Sequence, residues 1–185
     1  MRTARDWAIE CNNYLGKRVG TYEFRCRRYN KVYEAMQRIG IPDDATVIDV
    51  GAGRGEFGLY LREQRPDSRH LYVPIDGSID GIELENWEPH HEVDFFVAIE
   101  FLEHLKAPGW LLRCMCAHAK RGVIITTPNA ACTDVLGMDP THKTPLSMEE
   151  LMAWGLTVSP QMLFTEDRLD TLIGVWQRAK TLQKL

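Results

Sequence analysis

Glu100, Glu103 and His104 fall at positions i, i+3 and i+4, so a helical turn through them puts two carboxylates and an imidazole on one face. Such a face can hold Mg²⁺ or another divalent ion, with His142 as a fourth ligand from further along the chain. A bound ion would draw a hydroxyl into place and lower its pKa, which makes an oxygen nucleophile. Plainer roles stay open: His104 acting alone as a general base, Glu100 touching a cofactor, Glu103 capping local backbone. All three follow the apolar run Val93–Ile99, which places them at the carboxyl edge of a parallel sheet, where ligands gather.

The second chemical cluster is Asp49-Val50-Gly51-Ala52-Gly53-Arg54-Gly55. A strand, a glycine-rich loop and a helix let backbone N–H groups approach a nucleoside cofactor. By spacing, Gly53-x-Gly55-x-x-Gly58 with Asp76 downstream matches a dinucleotide fingerprint, which leaves a nicotinamide-dependent oxidoreductase open. Charge weighs against it. A pyrophosphate would lie beside Asp49 and Glu56, a costly arrangement in a poorly solvated site. S-adenosylmethionine instead carries a sulfonium, an ammonium and one carboxylate, and Asp49 can help receive the ammonium. Glu56 alone is explained by the helix dipole; an acid on an otherwise apolar strand is not.

Helical spacing covers residues 3–15 and 21–39, the second with Tyr22, Arg25, Tyr29, Val32, Tyr33 and Met36 at three- and four-residue intervals. After the Gly40–Asp44 turn, Thr46–Val50 is a β-branched run suited to a strand covered on both faces. A helix over 56–64 and a strand over 70–76 follow, Pro74 marking the strand as irregular or at an edge. The short stretch from Asp76 to Asp94 has room only for a reduced strand near Ile82–Leu84, with no long helix before it. Further strands are expected at 93–99 and 122–127, and helices at 110–119 and after the Ser147-Met148-Glu149-Glu150 capping box. Residues 156–163 and 171–178 make a final antiparallel pair, interrupted by Pro160.

Over residues 45 to 130 four segments, in order, resemble the motifs of class I S-adenosylmethionine-dependent methyltransferases. Val47–Gly55 resembles their glycine loop and Ile75-Asp76-Gly77-Ser78 the motif whose acid holds the adenosine ribose. Ala98–Leu105 resembles the segment after strand four, and Gly122–Asn129 the strand-five motif. His142 with Pro145–Leu151 is similar to a stretch common after strand five. The resemblance implies a Rossmann-like, doubly wound, seven-stranded, mostly parallel sheet with flanking helices and an antiparallel C-terminal strand. It implies that Asp49, Gly51, Ala52, Gly53, Gly55, Asp76, Gly77 and Glu100 hold the donor. Similar Glu-x-x-Glu-His segments bind a divalent ion in RNA 3′-terminal 2′-O-methyltransferases and ubiquinone-pathway O-methyltransferases. The match departs from the family between Asp76 and Asp94, where Leu84, Glu85, Asn86 and Trp87 are the candidates for contacting adenine; Trp87 serves equally as a hydrophobic anchor.

With 185 residues, 44% of them hydrophobic, the chain reads as one domain: N-terminal helices over 1–40, a cofactor-binding core over 45–130, and a C-terminal helix and strand pair over 131–185. A formal charge of −4 gives no general attraction for polyphosphate, and the basic cluster Arg25, Arg27, Arg28 and Lys31 reads first as a solvated helix face. Five cysteines read as reduced, buried small hydrophobes. Without a run of signal-peptide or membrane-span length, a cytoplasmic protein is expected; nothing in the composition sets an oligomeric state. The expected activity is O-methylation of a small hydroxylated metabolite by His104 and Glu100. RNA or a nucleotide as acceptor, with a divalent metal, comes second, and a non-catalytic binding subunit built on the same fold is a further alternative.

Overall fold

The computed structural model describes residues 22–179; the helix expected over 3–15 lies outside them. In chain order the elements are α1 (Tyr22–Ile39), β1 (Thr46–Val50), α2 (Glu56–Gln64), β2 (Leu71–Ile75), the single turn α3 (Gly77–Asp80), β3 (Val93–Ile99), α4 (Pro108–His118), β4 (Ala119–Pro128), the turn α5 (Val135–Met138), α6 (Met148–Ala153), β5 (Thr157–Gln161) and β6 (Thr171–Gln177). The strands form one sheet in the order β2-β1-β3-β4-β6-β5. The first four run parallel and β6 is antiparallel to both of its neighbours.

Alternation along the central strand decides the layers. Phe95 and Val97 of β3 join Val32 and Met36 of α1 and Phe57 and Leu61 of α2, whereas Phe96 and Ala98 join Leu111, Leu112 and Met115 of α4 and Leu151 of α6. Both faces are therefore dry, and each fully buried side chain of this size contributes roughly 1.5–3 kcal/mol. The helical face read from Tyr29, Val32, Tyr33 and Met36 is the buried face of α1. Ser147 and Glu150 form the expected reciprocal cap on α6. Among the described residues no helix is long and apolar enough to cross a membrane.

Among the described residues the sheet has six strands, not seven. Where the reduced strand was expected near Ile82–Leu84, the chain makes α3, turns at Gly81 with φ +69°, and enters a 3₁₀ turn over Leu84–Asn86. Leu84 is drawn down into the core instead of across to β2. The edge left on β2 is blunt: the Leu71 N–H and Ile75 carbonyl bond toward the β1 side, so alternation turns the backbone groups of Tyr72 and Pro74 outward, and proline has no N–H to offer.

At the far side of the sheet, the segment joining β5 to β6 is organised by Asp170. This buried carboxylate accepts from the backbone N–H groups of Leu163, Phe164 and Thr165 and from the hydroxyls of Thr165 and Thr171. Burial would raise its pKa, but the Thr171 and Thr165 bonds outweigh that and hold it below the usual carboxylate range. Asp170→Ala leaves these donors without partners and is expected to cost about 2–4 kcal/mol. Urea unfolding measures this directly, and an unchanged midpoint would show that the bonds contribute nothing net.

Candidate functional site

The chain passes from β1 to β2 on one side and then returns to place β3 on the other side of β1. This reversal opens a crevice beyond the carboxyl ends of β1 and β3. A cavity of about 550 Å³ occupies it, lined among others by Asp49, Gly51, Gly53, Glu100, Glu103 and His104. Arg28, His142 and Phe164 reach it from α1, the loop after α5 and the segment after β5.

The glycine loop is anchored to the end of β2. Gly51 and Ala52 donate to the Ile75 carbonyl at 2.8 and 3.1 Å, and Gly53 donates to Asp76 Oδ2 at 2.9 Å. Gly51 has φ +76°, and a Cβ there would overlap the Phe101 ring. Ala52 lines the cavity with Gly51 and Gly53. Asp76 caps α3 through Ser78, standing at the loop's outer rim rather than in the cavity lining; Gly77 opens that helical turn and Gly55 caps α2.

Asp49 is 2% exposed, and the Tyr72 hydroxyl donates to its Oδ2 at 2.5 Å while Oδ1 has no partner. Tyr72 reaches it because Gly58 lacks the Cβ that would meet the phenol ring. Burial pushes the Asp49 carboxyl up to about 7, against the Tyr72 bond and with some help from the charge of Asp76.

Glu100, Glu103 and His104 do not share one helical face. Glu100 has φ +52°, the one positive φ outside glycine among the described residues. Its N–H bonds the Thr126 carbonyl at 3.0 Å and its Oε1 accepts from the Thr126 hydroxyl at 2.9 Å. The chain then enters a 3₁₀ turn over Leu102–His104. The expected set of Glu100, Glu103, His104 and His142 thereby reduces to three: ligand atoms of Glu103, His104 and His142 lie within 4.8 Å of one another, and Glu100 is outside the group.

His142 is brought in by the Glu103 carbonyl, which accepts from Lys143 and Thr144 N–H at 2.8 and 3.0 Å. The His142 Nδ1 donates to the Val135 carbonyl at 2.6 Å, leaving Nε2 with its lone pair. Thr141 gives its hydroxyl proton to Asp139 Oδ1 at 2.6 Å, so it can only accept from His104 Nδ1 at 2.9 Å, and His104 Nε2 is likewise a lone pair. Burial, followed by the neighbouring His142, lowers the His104 pKa. Glu103 is fully buried with neither carboxylate oxygen bonded; burial, then the charge of Glu100, raises its pKa well above the ordinary range.

Trp87 does not line the cavity. It packs against the core at 6.4 Å, edge-on to Phe96, in the anchor role. Arg28, Tyr72, Asp139 and Thr141 were not singled out as site residues from sequence. Only Asp139 and Thr141 carried a local signal, a short polar pair just before His142.

A family model described as a methyltransferase domain matches residues 23–179. The chain belongs to the methyltransferase-domain family. Sterigmatocystin 8-O-methyltransferase of Aspergillus parasiticus is 26% identical over 127 residues, 65% of this chain and 28% of that protein. Its counterpart in Aspergillus flavus is 25% identical over 126 residues. The chain thus spans about 28% of the length of these curated relatives. A SAM-dependent methyltransferase from Archaeoglobus fulgidus superposes with TM-score 0.64 at 17% identity, covering 89% of this chain and 98% of that one. The plantazolicin methyltransferase BpumL, solved with S-adenosylhomocysteine, superposes with TM-score 0.62 at 10% identity over 91% and 89%. These share the fold. The family match, to a methyltransferase domain, sets aside the nicotinamide reading of the glycine loop.

For this methyltransferase domain the buried Asp49 carboxyl has a cost that pH reveals. Its folded pKa of about 7 lies above the unfolded value of 3.8, so the unfolded chain releases the proton first. Stability contributed by this group is present below pH 4 and is lost as pH rises toward 7. Asp49→Asn, whose amide oxygen can still accept from Tyr72, is expected to be more stable than the parent by roughly 3–4 kcal/mol at pH 8. At pH 4 the two should agree within about 1 kcal/mol. Urea unfolding of the ligand-free protein at both pH values checks this; a difference that does not change with pH defeats it.

Proposed function

We propose that this chain transfers the methyl group of S-adenosylmethionine to a hydroxyl oxygen of a small metabolite, with His104 facing the acceptor. The carrying observation is one cavity that joins the glycine loop and Asp49 to a histidine held in a single tautomer with Nε2 unprotonated. Asp49, Gly51, Ala52 and Gly53 receive the donor, with Gly55, Asp76 and Gly77 shaping the rim and Asp76 reaching the ribose. In the reaction the acceptor oxygen attacks the methyl carbon in line; the O–CH₃ bond forms, the S–CH₃ bond breaks, and the sulfonium becomes the thioether of S-adenosylhomocysteine. The hydroxyl proton passes to His104 Nε2. Because the sulfonium is already activated, alignment and deprotonation supply most of the catalysis.

An oxygen acceptor is supported by the names of the curated relatives, both 8-O-methyltransferases. A small acceptor is favoured over RNA by the state of the basic cluster. Arg25 is held bidentately by Glu56 at 2.7 and 2.8 Å, Lys31 by Glu34 at 2.9 Å, Arg27 lies over Phe24, and Arg28 is buried. That leaves no row of free cations along α1 to track a phosphate backbone.

Glu103, His104 and His142 fit a divalent cation: two imidazole lone pairs and a carboxylate with both oxygens unbonded lie within 4.8 Å. Two imidazoles favour Mn²⁺ or a later transition metal over Mg²⁺, which prefers all-oxygen ligands. Such an ion would occupy the His104 Nε2 lone pair and would polarise the acceptor hydroxyl in place of that base. Asp139 and Thr141 serve this arrangement by fixing the His104 ring, and Val135 does the same for His142.

His104→Ala is expected to lower kcat by about 10²–10⁴-fold while leaving S-adenosylhomocysteine binding by calorimetry within about twofold. Because His104 must be neutral and its pKa is depressed, activity should be lost as pH falls, with the acid limb below the ordinary histidine value of about 6.5. Transfer of tritiated methyl groups to fractionated metabolites and RNA supplies the assay. Label confined to RNA overturns the acceptor class, and tight donor binding without any transfer makes the chain a binding subunit. Loss of activity in EDTA, with Mn²⁺ restoring it better than Mg²⁺, would assign His104 Nε2 to an ion instead of the acceptor proton; indifference to both leaves His104 as the base.

A further inference from the structure

Part of the cavity wall has chemistry that methyl transfer alone does not use. Phe24 of α1 and Phe164 of the β5–β6 segment line it, their ring centroids 5.0 Å apart and tilted by 42°. A guanidinium rests against each ring: Arg27 lies 5.2 Å from the Phe24 centroid and Arg28 4.5 Å from that of Phe164. Met138, at the end of α5, adds a thioether to the same lining.

Asp170 holds this wall in place. Its carboxylate takes the Phe164 N–H at 3.0 Å, while its own N–H and the Thr165 hydroxyl both donate to the Arg168 carbonyl at 3.0 Å. Arg168 therefore has a fixed backbone although its side chain is exposed, and it too lines the cavity. The hydrogen bond its guanidinium makes is a long one, 3.4 Å to the Cys132 carbonyl. Among the described residues it has neither a carboxylate such as Arg25 holds nor a ring such as Arg27 and Arg28 hold.

An acceptor that completes this arrangement brings a ring of its own. A planar aromatic body can meet Phe24 and Phe164 in offset or edge contact, take the Met138 thioether at its rim and offer a π face to the Arg168 guanidinium. A saturated body of the same size gains only the area it buries. The chemistry of transfer points the same way, because a phenol gives up its proton at about 10 against about 15.7 for a water-like hydroxyl, and so asks less of the group that takes it.

We propose that the acceptor hydroxyl is carried on a neutral, electron-rich aromatic ring, seated against Phe24 and Phe164 with Arg168 over its face. The inference rests on the methyl-transfer reading above and narrows its acceptor from any hydroxylated metabolite to a phenol.

Calorimetry on the full chain saturated with S-adenosylhomocysteine reads acceptor binding without turnover, and tritiated methyl transfer reads the reaction. The probes are 2-naphthol, its saturated counterpart decahydro-2-naphthol, and 3-hydroxy-2-naphthoate, which adds a carboxylate. The parent should bind 2-naphthol roughly 5- to 20-fold more tightly than the saturated alcohol. Arg168→Gln should cut that preference about two- to fivefold and Phe24→Leu about two- to tenfold, with S-adenosylhomocysteine affinity held within about twofold to show that both variants are folded. Equal binding of the first two probes, no binding of either, or a preference untouched in both variants overturns the aromatic seat. So does 3-hydroxy-2-naphthoate binding at least about tenfold more tightly than 2-naphthol with the gain lost in Arg168→Gln, since Arg168 then reads an anion. Preferred binding of 2-naphthol with no transfer to either alcohol keeps the seat and removes methyl transfer to oxygen; transfer to the saturated alcohol alone keeps the transfer and overturns the phenol.

Discussion

A carboxyl group without a counter-ion, on a strand covered from both sides, constrains much of what surrounds it. Asp49 cannot be solvated where β1 ends, so one oxygen takes the Tyr72 hydroxyl and the other is left without a partner. Tyr72 can lie there only because Gly58 opens the α2 surface to it, and β2 must stand beside β1 in the register that sets Tyr72 opposite Val47. The same β2 end supplies the Ile75 carbonyl that anchors the glycine loop. A single desolvated group thus couples helix packing, strand register and loop conformation.

The cost is not isolated. Among the described residues, six buried side-chain polar atoms lack a hydrogen-bond partner, and four of them belong to Arg28, Asp49 and Glu103 around one cavity. Native interiors satisfy nearly all such atoms, so their concentration at the switch point marks a place built to be completed by a ligand. The φ of Glu100 adds backbone strain at the same spot. Under the proposed function stability and binding compete here: substitutions that would make the cavity more stable are those that would spoil it for a charged donor.

Much of the frame was legible because it depends on short-range chemistry. Periodicity located β1, α2, β3 and the helices around them, and the capping box located α6, since each signal is carried by residues that touch within one or two turns. The glycine loop was legible for the same reason. The Glu-x-x-Glu-His geometry was not: Glu100 takes a left-handed conformation imposed by Thr126, a residue on the next strand, and no local pattern announces that. The missing strand near Ile82 reflects a similar long-range choice, since Leu84 gains more from the core than from pairing with an edge blunted by Pro74. Arg28 was read as one of a row of surface cations, and only tertiary packing separates it from Arg25 and Lys31, which have acids of their own.

That separation bears on how one cavity can serve two reactants of different charge. A zwitterionic, cationic donor needs acids and a base arranged in a fixed order, whereas a neutral hydroxylated acceptor needs a proton acceptor and little else. In the proposed reaction the acids nearest the glycine loop answer the first requirement. In the same proposed reaction the second falls to His104 and His142, placed by a loop that hangs on the Glu103 carbonyl. Glu103 therefore stands at the junction: its backbone positions the acceptor-side histidines while its unbonded carboxyl faces the cavity. Burial, followed by the charge of Glu100, raises its pKa well above the ordinary range, which disfavours a negative charge on this side of the cavity. A division of this kind lets the acceptor pocket change by substitutions in the α5 loop and the β5–β6 segment without disturbing the groups that hold the donor.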